Sequence, residues 1–514
     1  MYFLLYCFTF LFCVEMTCFI QSAQSSNEPQ KQLVSGCKEK WFDETTVTTS
    51  HVIEAKGLSI KYDAVVGNIP IGESDGNPKA SMFYCAYFRK NEKVTRPLVF
   101  CFNGGPASCA IWLHMGGVGP KRVVIRDLSP NIPPGTYEDN PYTLLEVADL
   151  VFIDPIMTGF SGVAPGVDPK PYFTVTEDVS TFAEFIRFFL TKFDRWKSPR
   201  FIAGESYGTI RAVLLAEKLQ QESYLDVNGI FLISPVLDFQ AYEYNRANYL
   251  PYILSLPSYA ACAKYQNKLS DQYQKMPLEL FLKEVEQFAL DEYAPALLHG
   301  KSLENEKKQL IISKLCMYTG LTKDLIDDAS LRLKFDYFAK ELLKQKRDIV
   351  GRFDARYKAF DPYILSFRPG FDPSFSFISS TFHSAFRDYV QNDLRWKKEA
   401  PYIIISHTAF SEWNFGLNKD DGGLGFLNVC PQLTQTMMRN PKMCVLFASG
   451  YYDLAAPYFA SNYIVNQLPT GALFEQNIVQ AYYKAGHTFY IEDESLKKMN
   501  DDFKRFIIQS SKNN

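Results

Sequence analysis

Apolar positions along this chain follow two different rhythms. Three stretches, around Val47–Ala55, Ser59–Val66 and Met82–Arg89, alternate apolar with polar residues and are separated by Gly, Asn and Pro turns. A period of two predicts antiparallel strands at a sheet edge. Six later runs are continuously apolar: Pro97–Phe102, Asp149–Asp154, Phe201–Gly204, Gly229–Ile233, Cys444–Ala448 and Ile478–Tyr483. Such runs suit strands buried on both faces of a mainly parallel sheet. Helical patterns lie between several of them, as at Val179–Phe193 and Thr209–Gln221. This alternation predicts an α/β fold, a doubly wound sheet with flanking helices. Between Leu237 and Trp396 the rhythm turns helical, with Leu278–Leu290, Lys301–Cys316 and Thr322–Gln345 rich in Leu, Lys, Glu and Asp. The expected organisation is a core over 24–236, an inserted helical cap over 237–396, and the rest of the core over 397–514. A chain of 514 residues is too long for one simple core, which agrees with an insertion.

The first twenty residues, Met1 to Ile20, are mostly apolar, and Ser22-Ala23 offers small residues for cleavage. A signal peptide over 1–23 is predicted, hence export and no stable membrane insertion once the leader is removed. The leader departs from the usual pattern in lacking Lys or Arg before its apolar run and in carrying Glu15 within it. Of eleven cysteines, Cys7, Cys13 and Cys18 fall in the leader. An exported chain can pair some of the other eight, but none has the C-x-x-C spacing of a zinc ribbon. Cys101 and Cys444, inside apolar runs, read as buried thiols. The net charge is −3 with no long basic run, which argues against a nucleic-acid partner. The aromatic share of 15% suits a chain that lines clefts with Tyr and Phe.

Chemistry concentrates at Gly204-Glu205-Ser206-Tyr207-Gly208, between the apolar run at Phe201 and a helical pattern. A G-x-S-x-G turn between strand and helix lifts a serine hydroxyl above the sheet edge. Ser206 is then a nucleophile in need of a base. In α/β-hydrolase order an acid and then a histidine follow along the chain. Of six histidines, His487 alone stands near the C-terminus directly after a buried-strand pattern, and Asp453 stands on the loop after Cys444–Ala448. His487 would take the serine proton, and Asp453 would fix its tautomer and stabilise the imidazolium. Oxyanion donors are expected from the backbone amides of Tyr207 and of Gly105, in the Asn103-Gly104-Gly105-Pro106 loop. Each feature alone has a bland reading as a turn, a loop histidine or a chance pentapeptide. Four in the right order, each ending a strand-like run, are hard to assign to accident. No metal or organic cofactor is required, and no phosphate loop or dinucleotide fingerprint is present.

These residues resemble the serine carboxypeptidases, within the α/β-hydrolase superfamily. Phe102-Asn103-Gly104-Gly105-Pro106 is similar to that family's Asn-Gly-Gly-Pro-Gly segment, Gly204–Gly208 to its Gly-Glu-Ser-Tyr elbow, and Ala485-Gly486-His487 to its Ala-Gly-His. Trp112–Gly116, Asp149–Pro155, Glu292–Ala296 and Gly450–Leu454 resemble its bacterial branch in particular. The resemblance, spanning about Ser59 to Leu496, implies release of single C-terminal residues from peptides through an acyl-enzyme. It also implies that Asn103 and Glu205 hold the substrate's terminal carboxylate, Glu205 and that carboxylate sharing a proton. Two departures stand out. Ala107 replaces the glycine that usually follows Asn-Gly-Gly-Pro. Gly117 precedes Val118-Gly119-Pro120 where many members carry a glutamate. They leave room for an acyltransferase or esterase on the same triad, or for a binding protein that has lost turnover.

Overall fold

A computed structural model describes residues 45–512, apart from 73–77, 91, 93–94, 132, 417–424 and 470. The expected leader over 1–23, the polar stretch after it and Cys37 lie outside the described residues. Ten strands form one sheet. Its edge is antiparallel: Val47–Ala55 pairs with Leu58–Ile71, which pairs with Ala80–Arg89. Ala80–Arg89 joins Asp149–Ile153 in antiparallel register, and the short Gly162–Val163 pairs with it too. From there the order runs Asp149–Ile153, Leu98–Phe102, Arg200–Glu205, Gly229–Ile233, Cys444–Gly450, Ile478–Tyr483, all parallel. Both rhythms of the sequence therefore correspond to real regions of the sheet.

Burial on both faces explains five of the six continuous apolar runs; Ile478–Tyr483 is the exception, because it is the last strand of the sheet and leaves Val479 and Gln480 exposed. Every residue of Leu98–Phe102, Asp149–Ile153, Gly229–Ile233 and Cys444–Gly450 is buried. Alternate side chains feed two separate cores. Val99, Cys101, Leu150, Phe152, Phe231 and Ile233 pack on one face, with Phe382 of helix Pro373–Asp388 and Phe503 of helix Asp493–Lys512. Phe100, Val151, Ile153, Ile230 and Leu232 pack on the other, under helices Val175–Lys192 and Tyr207–Ser223. The first of these helices begins at a capping residue, Thr174, whose hydroxyl accepts the Glu177 amide at 3.2 Å.

Between Ile233 and Cys444 the chain is mostly helical, and Leu250–Tyr265, Leu278–Phe288, Asn305–Thr319 and Phe335–Glu341 build a third apolar cluster. Tyr452 and Leu454, from the loop after Cys444–Gly450, belong to this cluster. The stretch read as one helix over Thr322–Gln345 is instead two helices, Lys323–Asp328 and Phe335–Glu341. Ser330 and Leu331 break it in the left-handed region, at φ of 52° and 66°. No Gly or Pro marks that break, so the sequence gives no signal for it. A small hairpin, Asp348–Val350 with Lys358–Phe360, follows. The seven described cysteines are free thiols, Cys101 and Cys444 being buried as expected. Among the described residues no helix is long and apolar enough to cross a membrane.

Candidate active site

The parallel strands deliver their chemistry at one edge, beyond their C-terminal ends. Glu205 ends its strand and Ser206 follows with φ 59° and ψ −127°, a strained conformation for a residue with a side chain. The surroundings over-determine it. Ser206 donates its amide to the Ile233 carbonyl at 2.9 Å, and its own carbonyl accepts the Thr209 amide at 2.9 Å. Glycine is required on both sides of the turn. A Cβ at Gly204 would stand 2.1 Å from the Gly208 carbonyl oxygen. One at Gly104 would stand 2.5 Å from both the Glu205 carbonyl oxygen and the Tyr207 nitrogen. The Asn103–Pro106 loop is thus pressed directly against the elbow.

Gly105, Pro106, Ser206 and Tyr207 line one cleft with Val236, Phe239 and Phe415. Among the described residues the Gly105 amide makes no hydrogen bond, and Tyr207, first residue of its helix, has no intrahelical acceptor for its own. The two residues whose amides the sequence singles out thus stand together with Ser206 in this cleft. Ala107 has φ 67°, where glycine is usual, so the departure from the family pattern is accommodated by strain. Its methyl is buried against Phe173 and Ala409.

Asp453 and His487 meet on neighbouring strand ends. His487 Nδ1 and Asp453 Oδ2 lie 2.7 Å apart, and Asp453 Oδ1 accepts the amides of Ala455 and Ala456 at 2.7 and 2.8 Å. Both side chains are buried. Burial pulls the imidazole pKa down, but the charge and hydrogen bond of Asp453 outweigh it and hold His487 above its usual 6.5. The His487 loop is tied to the strand beside the elbow, Gly229–Ile233: Ser234 Oγ donates to the His487 carbonyl at 2.7 Å, one residue after the Ile233 carbonyl that holds Ser206. Between Ser206 Oγ and His487 Nε2 themselves there is no hydrogen bond.

Asn103 and Glu205 also meet, Asn103 Nδ2 donating to Glu205 Oε2 at 2.8 Å. The Leu113 amide donates to Asn103 Oδ1 at 3.2 Å and fixes the amide's orientation. Burial pushes Glu205 up to about 7; the His487 charge and the hydrogen bonds from Tyr490 and Asn103 oppose that rise, and Asp453 adds to it.

Several contributors had no sequence signal. Tyr490, three residues after His487, donates its hydroxyl to Glu205 Oε2. Arg211, fully buried, donates to the Asn103 carbonyl at 2.8 Å and pairs with Asp178 at 2.8 Å, an ion pair under the elbow. Residues 352–356 hold both later loops. The Phe353 carbonyl accepts the His487 amide at 2.6 Å, and Asp354 Oδ2 accepts the Gly486 amide at 3.1 Å. On the other side, Leu454 donates to the Arg352 carbonyl at 3.0 Å and Ala355 to the Tyr452 carbonyl at 3.1 Å. Of the other histidines, His114 is a core residue, stacked on Phe152 at 4.1 Å, bonded to the Tyr87 hydroxyl at 2.6 Å and pushed down to about 3 by burial.

A mostly parallel sheet, a serine on a strained strand–helix elbow, and an acid and histidine on later strand ends define an α/β hydrolase. Residues 65–351, more than half of the chain, match the model of the serine carboxypeptidases, peptidase family S10, and the chain belongs to that family. It is 32% identical over 131 residues to serine carboxypeptidase S10 family member 1 of Dictyostelium discoideum, covering 25% of this chain and 29% of that relative. It is 30% identical over 161 residues to carboxypeptidase Y of Schizosaccharomyces pombe, covering 31% of this chain and 15% of that one. The matched segments thus span less than a third of either relative. Among solved structures, the Saccharomyces cerevisiae prohormone-processing carboxypeptidase Kex1 superposes with a TM-score of 0.52 at 16% identity, covering 87% of this chain and 91% of that one.

Proposed function

We propose that this protein is a serine carboxypeptidase that releases single residues from peptide C-termini through an acyl-enzyme. In this reading Ser206 attacks the scissile carbonyl, His487 takes its proton and later passes it to the leaving amine, and Asp453 stabilises the imidazolium. The Gly105 and Tyr207 amides receive the oxyanion; one such donor is typically worth about 3 kcal/mol of transition-state stabilisation. Proton transfer needs a hydrogen bond between Ser206 and His487 that the described side chains do not make; catalytic contacts of this kind commonly tighten only around substrate.

The observation that carries the reading is the buried Asn103–Glu205 pair immediately beside the nucleophile. A carboxyl raised to about 7 is protonated in mildly acidic solution. It then donates to a peptide's terminal carboxylate instead of repelling it. KM for a blocked dipeptide should accordingly rise as pH climbs from 5 to 8, and a flat or falling KM would contradict this role. Export through a cleaved leader is part of the same proposal, supported by the apolar Met1–Ile20 pattern. So is membership of the bacterial branch, supported by segments such as Gly450–Leu454. So too is the division into a core and a 237–396 cap, supported from Ala241 to Ala355 by a separate apolar cluster, while helix Pro373–Asp388 packs with the sheet.

The direct test is digestion of a peptide panel with wild type and Ser206→Ala, read by mass spectrometry. Single C-terminal losses should appear with wild type only, the variant losing on the order of 10⁵-fold or more in kcat. Cleavage of C-terminal amides or esters with free acids left intact would instead select an esterase or acyltransferase.

A further inference from the structure

Glu205 is held asymmetrically. Asn103 Nδ2 and the Tyr490 hydroxyl both donate to Oε2, and Oε1 accepts no hydrogen bond among the described residues. The protonated oxygen of a carboxylic acid is a strong donor and a poor acceptor, so two converging donors mark Oε2 as the unprotonated, carbonyl-like oxygen. The acid's proton is then left to Oε1. We propose that Tyr490 is a positioning residue for C-terminal recognition: by sharing Oε2 with Asn103 it turns Oε1 and its proton toward the carboxylate of a peptide end. This rests on the carboxypeptidase reading given above.

The packing around the ring supports the assignment. Tyr490 is fully buried and lies against Gly116 and Gly117. A Cβ at Gly116 would stand 2.9 Å from its Cε2, and one at Gly117 3.2 Å from its Cγ. The ring therefore fills space that any side chain at position 117 would contest. The tyrosine and the Gly116-Gly117 pair form one complementary unit, and it is this unit that puts a hydroxyl against Glu205. Two further ionisable groups act on Glu205, His487 and Asp453, with Arg352 acting in turn on His487. Burial raises the Tyr490 hydroxyl well above 10, so it stays a donor throughout the working range while the carboxyl titrates.

The test compares wild type with Tyr490→Phe, which keeps the ring and deletes the donor. KM and kcat are measured from pH 4.5 to 8 on a blocked dipeptide with a free C-terminus and on its C-terminal ester. We expect KM for the free acid at pH 5 to rise about 5- to 20-fold, the scale of one hydrogen bond to an ionisable group. For the ester KM should stay within about 2-fold and kcat within about 3-fold. The pH at which KM for the acid climbs should move upward, because a donor that favours the carboxylate has been removed. An unspecific packing defect would impair both substrates alike. Unchanged acid preference with an unchanged pH profile overturns the proposal. If Tyr490→Phe does not fold, Gly117→Ala decides: the added methyl presses on the same ring, and it should lower the acid-over-ester preference in the same sense. Retention of full preference there overturns the proposal as well. If wild type reacts with a fluorophosphonate at Ser206 yet shows no preference for the free acid, the carboxypeptidase reading fails first and the Tyr490 role with it.

Discussion

The two halves of the site are built by different means. The elbow half (Asn103, Gly105, Glu205, Ser206, Tyr207) is set by adjacent strands and by glycines that let backbones touch. The acid–histidine half hangs on loops after Cys444–Gly450 and Ile478–Tyr483, and those loops are laced together by residues 352–356. Rigidity in the first half comes from steric exclusion, and in the second from hydrogen bonds contributed by the inserted segment. Damage to the first should therefore be abrupt, and damage to the second graded.

The largest effect is expected from Gly104→Ala. Its methyl would press on the backbone of Glu205, Tyr207 and Gly208 at 2.5 to 2.8 Å, where no flexible side chain can give way. Displacing the Asn103–Pro106 loop, the proposed source of an oxyanion donor, should cost about 100-fold or more in kcat, with little change in the His487 environment seen by NMR. If the variant keeps wild-type kcat, the elbow half is softer than its contacts indicate.

Next is Asp354→Ala. Asp354 holds the Gly486 amide and pairs with buried Arg356 at 2.7 Å. Removing one member of a buried pair leaves the other uncompensated, a loss of about 3–5 kcal/mol. A clear drop in Tm should come with roughly a 10-fold loss in kcat, because the histidine loop loosens without losing His487. A fall in Tm with kcat intact would show that 352–356 only stabilises the fold.

A smaller effect is expected from pH. Glu205 is raised from 4.5 to about 7, and Asp154, buried at the end of the Asp149–Ile153 strand, from 3.8 to about 7, both through burial first. Folded-state values above the unfolded ones mean that the native state binds more protons across that interval. Stability is then full at acid pH and lost as pH rises toward about 7. His487, also raised, contributes in the same direction, its share fading above 6.5. Tm should fall between pH 5 and 8, and Glu205→Gln and Asp154→Asn should each flatten part of the slope. A Tm that rises over this range would refute the assignment.

The smallest effect is expected from Ala107→Gly. Relieving a left-handed alanine gains about 1 kcal/mol, offset in part by glycine's greater freedom in the unfolded chain. Tm should change by a degree or two, with activity equal or slightly higher.

The same division explains what the sequence disclosed. Strand rhythm, the elbow glycines and the Asn103–Pro106 loop are local patterns, and so the sheet and the elbow half were legible. Asp453 and His487 could be named as a candidate pair because the hydrolase order says where to look, and the two side chains do meet. Tyr490 and Asp354 were not, because their roles arise only when the 487–490 turn and the inserted segment fold onto the sheet; in the sequence each is one more Tyr or Asp. The helix break at Ser330–Leu331 was hidden for a related reason, since neither residue is a usual breaker. His114, by contrast, sits in a family-like segment yet is a packed core residue, which only its stacking on Phe152 discloses.

The lacing by residues 352–356 has a practical corollary for chimeras. Inserted segments of hydrolases are attractive parts to exchange when a new substrate range is sought. Here the insertion is also a fastener, so a transplant that discards Arg352 to Arg356 would unmoor the loops bearing Asp453 and His487 while Ser206, Asp453 and His487 all remained encoded. Swaps should cut inside the helical portion, before Asp348, and leave that strap in place.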